Sequence, residues 1–194
     1  MPRRICVYCG ANPGNDPAFA LATEALAGAL ARRGLGLVYG GASVGLMGVL
    51  ADTMLAAGGE VIGVIPRVLV DREVAHPGLS ELRVVDSMHQ RKAAMAELAD
   101  GFIALPGGFG TLEEIFEILT WSQLGLHQKP CGLLNVNDYY QGLVAFLARA
   151  VNAGLLREEN RHMLMVAETP DRLLTLFDDY RAPTVEKWLG PENT

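Results

Sequence analysis

The sequence predicts a three-layer α/β domain: a doubly wound parallel sheet with helices on both faces. Three observations predict it. Short β-branched, apolar runs alternate with helix-length segments, the connections between them are short, and the helices open on recognisable capping residues. Alternation of this kind buries parallel strands beneath crossover helices, and such crossovers are right-handed. Half of the 194 residues are apolar and 20% are charged, ordinary values for a globular chain with a sizeable core. Residues 1–181 are expected to form one domain and 182–194 a polar tail.

The first strand is expected at Arg4–Cys9. Its Cys6-x-x-Cys9 spacing is a redox or metal signal elsewhere, but strand positions three apart face opposite ways, so both cysteines read as core residues. Asp16-Pro17 opens the first helix as N-cap and N1 proline, and Gly34 stands at its C-terminal cap. Gly36–Tyr39 is the second strand. The uncharged stretch 34–51 approaches membrane-spanning length, yet a Gly-Gly turn divides it, so it reads as strand, turn and helix start. Val61–Ile65 is the third strand, followed over 66–80 by a segment without periodicity that is expected to be a long functional loop. Leu82–Val85 is the fourth. Ser87-x-x-Gln90 is a capping box, with Gly101 at the C-cap position of the helix it opens. Gly101–Leu105 is the fifth strand, and Thr111-x-x-Glu114 is a second capping box. Cys131–Asn135 and Met163–Ala167 complete the strands, and Thr169-Pro170 opens the last helix.

Composition narrows the function. A net charge of −6 argues against coating nucleic acid while leaving room for one small phosphate. Three cysteines form no disulfide framework. His76, His89, His127 and His162 show no ligand spacing, so no metal is expected. The apolar run after Met1-Pro2-Arg3-Arg4 is too short for a signal peptide, and the expected setting is cytoplasmic, with no membrane partner.

Ligands of an open parallel sheet sit beyond the carboxyl ends of its strands. Three of those ends are glycine-rich here: Cys9–Asn12, Tyr39–Gly48 and Pro106–Thr111. The third is the most informative. Its glycines let a ligand approach the main chain, and a helix N-terminus beyond them offers unpaired N–H groups to a phosphate. No G-K-[ST] follows, so it is no Walker loop, and the third glycine of the dinucleotide fingerprint is missing. A mononucleotide-sized ligand fits better than a dinucleotide. A tight βα turn with no ligand is the plainer alternative. Spacing alone favours capping over catalysis for Glu114, but a phosphate would compete for the capped donors and free that carboxylate. Arg91 sits in a first helical turn, where the dipole disfavours cations, on an apolar stripe with Met88, Met95 and Leu98. An anionic partner, ligand phosphate or Glu114, would account for it; a snorkelling head group is the alternative.

Met88-His89-Gln90-Arg91-Lys92, followed by Pro106-Gly107-Gly108-Phe109-Gly110-Thr111-Leu112-Glu113-Glu114, resembles the LOG ("lonely guy") family of cytokinin riboside 5′-monophosphate phosphoribohydrolases. The likeness runs from Cys9-Gly10 to beyond Thr120-Trp121. It implies a Rossmann-like homodimer with the pocket near the subunit interface. It also implies Arg91 and Glu114 as the catalytic pair, a phosphate turn over Gly107, Gly108, Phe109, Gly110 and Thr111, and Glu73, Met88, Lys92 and Thr120 as substrate contacts, without a cofactor. Some relatives carry the label lysine decarboxylase. With only Lys92, Lys129 and Lys187 and no evident pyridoxal site, that label is set aside. Ala11, Asn12 and Ala42 depart from serines and a glycine common in the family, which bears on base preference.

The expected reaction is hydrolysis of the N-glycosidic bond of an N6-substituted adenosine 5′-monophosphate to free base and ribose 5-phosphate. Positive charge builds on the ribose as the bond breaks. Glu114 would stabilise it and activate a water, Arg91 would orient Glu114 and keep it ionised, and the phosphate would supply remote binding energy. Two alternatives stay open: a broader AMP or purine nucleoside-monophosphate nucleosidase, and a non-catalytic nucleotide or cofactor carrier, since one α/β scaffold hosts many functions.

Overall fold

The structure, a computed structural model, describes residues 4–70 and 75–183. The expected contact Glu73, and all of the polar tail except Ala182 and Pro183, lie outside the described residues.

Among these residues the sheet has seven strands, all parallel: β1 (Arg4–Tyr8), β2 (Gly36–Tyr39), β3 (Val61–Pro66), β4 (Glu81–Val85), β5 (Gly101–Ala104), β6 (Cys131–Leu134) and β7 (Leu164–Ala167). Their spatial order is β4-β3-β2-β1-β5-β6-β7. The helices are α1 (Pro17–Arg32), α2 (Gly45–Ala56), α3 (Met88–Leu98), α4 (Phe109–Gln123), α5 (Gln141–Asn152), the single turn α6 (Glu158–Arg161) and α7 (Pro170–Asp179). Every expected strand is present, with ends displaced by at most one residue. The inner strands, buried on both faces, read as unbroken apolar runs; β4, at the sheet edge, is largely exposed and carries Glu81 and Arg83.

Two core layers sandwich the sheet. Ile5, Val7 and Cys9 pack with Leu26 and Leu30 of α1, Leu50 and Met54 of α2, and Leu173 of α7. Cys6 and Tyr8 face the other way, toward Met95 of α3, Ile115 and Ile118 of α4 and Leu147 of α5. The two cysteines thus stand on opposite faces, as strand alternation requires. Burial pushes both thiols up.

The helix starts follow the sequence at three places. Asp16 accepts from Ala18 N at 2.9 Å ahead of Pro17. Ser87 Oγ accepts from Gln90 N at 3.1 Å, and the Gln90 side chain accepts from Asp86 N at 2.8 Å. Thr169 Oγ1 accepts from Arg172 N. Two expectations are corrected. Gly101 is not a helix cap: α3 ends at Leu98 with Ala99 as its C-cap, and Gly101 is the first residue of β5. Thr111 does not cap α4. That helix starts two residues earlier, at Phe109 after Gly108, and no side chain caps it. Thr111 packs instead against Gly107, so the Thr-x-x-Glu spacing mimics a capping box from inside the helix.

The segment 66–80 begins with one turn of 3-10 helix (Arg67–Leu69) and returns to the sheet where Ala75 bridges Ala42 and His76 N donates to Gly41 O at 3.0 Å. No helix among the described residues is long and apolar enough to cross a membrane.

Gly45 joins two of the glycine-rich turns. Its φ is +57°, and a Cβ there would lie 2.3 Å from the carbonyl of Ala11, while Leu46 N donates to Gly10 O at 3.1 Å. Gly45→Ala meets both the left-handed penalty and a backbone clash. It is expected to cost at least about 2 kcal/mol, read as a lowered midpoint in urea denaturation.

Candidate functional site

Strand order reverses between β1 and β5. The chain leaves β1 toward α1 on one face and leaves β5 toward α4 on the other, so their loops part and a crevice opens at the carboxyl edge. A cavity of about 580 Å³ occupies that place. Cys9–Asn15 of the β1 loop form one wall and Pro106–Gly108 of the β5 loop another. Gly110, Thr111, Glu113 and Glu114 of α4, Met88 and Arg91 of α3, and Leu46 and Met47 of α2 close the floor and sides, with Phe19, Leu69 and Tyr139 at the remaining margin. All three glycine-rich turns picked out in the sequence border it or feed directly into it.

Arg91 is buried, 5% exposed, so it does not snorkel. Its Nε donates to Val64 O at 3.1 Å and its Nη2 to Gly40 O at 2.9 Å, both at the carboxyl ends of strands. A Cβ at position 40 would fall 2.3 Å from Nη2; a glycine there lets the guanidinium seat against the main chain. Nη1 approaches Met88 Sδ at 3.8 Å. A cation this deep needs such partners, because burying an unsolvated charge is costly. Glu114, half-buried one turn into α4, faces the same cavity.

The remaining expected contacts divide. Gly107, Gly108, Gly110, Thr111 and Met88 line the cavity. Phe109 does not; its ring is 94% exposed. Thr120 lies further along α4, exposed, its hydroxyl donating to Phe116 O at 2.8 Å. Lys92 lies in a neighbouring groove between α3 and α4, beside Trp121 and His127. Its Nζ pairs with Glu113 and, at 3.0 Å, with Glu117. Burial opposes that charge, but the bonds to the two glutamates outweigh burial and hold the ammonium above its ordinary range. Asn15, Phe19 and Tyr139 were not foreseen. The β6 loop that brings Tyr139 has no glycine to mark it, and only its place after a strand end could have pointed there.

A crevice opened where two adjacent loops part, walled by backbone and floored by a buried cation with a carboxylate nearby, defines a Rossmann-like α/β protein built around a small ligand. The family described as "Possible lysine decarboxylase" matches residues 47–177. "Probable cytokinin riboside 5′-monophosphate phosphoribohydrolase LOGL5" of Oryza sativa subsp. japonica is 48% identical over 181 residues, 93% of this chain and 74% of the relative. "Cytokinin riboside 5′-monophosphate phosphoribohydrolase LOG1" of Arabidopsis thaliana is 46% identical over 185 residues, 95% of this chain and 86% of the relative. This chain belongs to the LOG family. Among solved structures, the molybdenum cofactor binding protein of Rippkaea orientalis aligns with a TM-score of 0.69 at 23% identity, over 92% of this chain and 97% of that one; at that identity the likeness is one of fold.

Removing the Lys92 ammonium would leave Glu113 and Glu117 facing each other. Because Glu113 is largely exposed, Lys92→Met is expected to cost only about 1–2 kcal/mol. The sign with pH follows from the raised lysine. The contribution is intact below about pH 10, the unfolded lysine range, and is lost as pH rises through the folded value. Urea midpoints of wild type and variant, compared at pH 7 and in the alkaline range, should converge at high pH.

Proposed function

We propose that the protein hydrolyses the N-glycosidic bond of N6-substituted adenosine 5′-monophosphates, giving the free base and ribose 5-phosphate, the activity for which its relatives are named. The observation that carries this reading is the presence of Glu114 and the anchored Arg91 in one cavity, beside a helix N-terminus that no side chain caps.

The 5′-phosphate binds where α4 begins. The first N–H groups of a helix have no intrahelical acceptor and carry the positive end of its dipole, and no side chain takes them at Gly108. The ribose then lies one helical turn further in, toward Glu114. Its carboxylate stabilises the positive charge that develops as the base departs, and it orients or deprotonates the attacking water. Arg91, held by Val64 O and Gly40 O, offers a fixed positive charge beside that carboxylate and keeps it in place. Leu46, Met47, Met88 and Phe19 give the cavity apolar surface suited to a purine. Phosphate contacts remote from the broken bond hold the nucleotide in ground state and transition state alike, so their energy appears in KM and in kcat/KM. Neither described lysine lines this cavity, which supports hydrolysis over the decarboxylase wording of the family description.

The same reading includes a cytoplasmic homodimer. Phe109 and Met88 lie exposed next to the cavity mouth, and burying apolar surface of that kind is what subunit association does.

Glu114→Gln is expected to bind the nucleotide nearly as wild type does, while turnover falls by about 10²- to 10⁴-fold. Wild-type turnover in that variant would remove Glu114 from the mechanism. In a chromatographic assay, wild type should release base from N6-isopentenyladenosine 5′-monophosphate but not from the matching nucleoside. Equal release from AMP would widen the substrate class to purine monophosphates, and release from the nucleoside would remove the phosphate turn from the account.

A further inference from the structure

The turn between β5 and α4 is held by its carbonyls. Tyr140 Oη donates to Leu105 O at 2.6 Å, Gly10 N donates to Pro106 O at 3.1 Å, and Tyr139 Oη donates to Gly107 O at 2.7 Å. Three successive peptide planes are thus each fixed by one donor, two of them from consecutive tyrosines just before α5. In a trans peptide the carbonyl of one residue and the N–H of the next point in opposite directions. Fixing Gly107 O therefore fixes the direction of the Gly108 N–H, at the head of α4.

The loop that delivers these tyrosines is built for position. Asn137 and Asp138 both adopt left-handed backbone, at φ +46° and +58°, a region that Asn and Asp enter more readily than most residues. Asn137 Nδ2 donates to Asp16 Oδ2 at 3.0 Å, tying the loop to the N-cap of α1, and Asn135 Oδ1 accepts from Tyr140 N at 2.8 Å. The Tyr139 ring is held edge-on between Phe19, with centroids 5.4 Å apart, and Tyr140, at 4.9 Å. Tyr140 is buried, whereas Tyr139 is 43% exposed and lines the cavity. The two differ accordingly: Tyr140 belongs to the core, and Tyr139 reaches the turn from the margin of the cavity.

We propose that Tyr139 is a positioning residue for the phosphate: its hydroxyl, bonded to Gly107 O, sets the Gly107–Gly108 peptide so that the amide donors at the head of α4 are already aimed when the 5′-phosphate of the substrate arrives. The inference rests on the reading of that turn as the phosphate site. It assigns a role to a loop that the glycine motifs do not include. Preorganised donors bind an anion more tightly because less reorganisation accompanies binding.

Tyr139→Phe deletes only the hydroxyl and keeps the ring between Phe19 and Tyr140. The expected result is a rise in KM for the nucleoside 5′-monophosphate of about three- to ten-fold, the size of one hydrogen bond, with little change in kcat. Calorimetry should show ribose 5-phosphate binding weakened by the same factor and adenine binding unchanged, with the thermal midpoint close to that of wild type. Tyr140→Phe, which strands a buried carbonyl, should instead lower the thermal midpoint. Unchanged ribose 5-phosphate affinity in Tyr139→Phe would overturn the proposal, as would an equal loss for adenine, which would make Tyr139 a base contact. Should wild type bind ribose 5-phosphate yet release no base from any nucleotide, the enzymatic reading fails and the binding comparison alone decides the role of Tyr139. A wild type that binds no ribose 5-phosphate overturns both.

Discussion

Main-chain pairing at the middle of the sheet governs what lies around it. β1 is bonded to β2 on one side and to β5 on the other, all running the same way. The polypeptide leaving β1 folds back over one face as α1, and that leaving β5 over the opposite face as α4. Neither loop can cover the gap between them without crossing the sheet edge. The crevice is therefore a by-product of strand order, and it would exist whatever side chains lined it. The proposed chemistry occupies a space that topology had already opened.

Within that space, polar main-chain groups are sorted by sign. Carbonyls at the ends of β2 and β3 turn toward Arg91, so a cation is held deep in the wall without a carboxylate supplying all of its bonds. Carbonyls of the β5–α4 turn are drawn away by Gly10 and the two tyrosines. Amide donors remain at the head of α4. Side chains then need to add little charge of their own, which suits the proposed anion site in a protein whose net charge is negative. On the outer side of the same helix pair, Lys92 braces α3 against successive turns of α4 through Glu113 and Glu117. Arg91 and Glu114 are the chain neighbours of that brace, so the spacing between the two helices, and with it the geometry of the cavity, depends on it.

The layering was legible because burial on two faces writes itself as contiguous apolar runs, and because Asp16, Ser87 and Thr169 cap their helices through local bonds that spacing alone reveals. Thr111 shows the limit of spacing. Thr-x-x-Glu satisfies the capping pattern, yet the helix starts at Phe109 after Gly108, so Thr111 lies inside it and Glu114 falls in the second turn. Gly101 misled for a related reason: glycine follows many helices, but here it serves the packing of Phe177 and Ile5 against β5. Arg91 could be singled out as an anomaly on an apolar stripe, but its carbonyl partners lie 27 and 51 residues away in sequence, beyond the reach of local pattern. Tyr139 was invisible for the same reason, since its bond to Gly107 spans 32 residues.

The sulfur atoms lend themselves to a use of their own. Cys9 belongs to the layer under α1 and α2, while Cys6 and Cys131 belong to the layer under α3, α4 and α5, and burial raises all three thiols. Since the thiolate is the reactive species, alkylating reagents meet Cys6 and Cys131 only when a helix lifts from the sheet, whereas Cys9 borders the cavity wall and is screened by whatever fills it. The chain thus carries two reporters of opening in the layer under α3, α4 and α5, and one sulfur that reports on occupancy of the cavity.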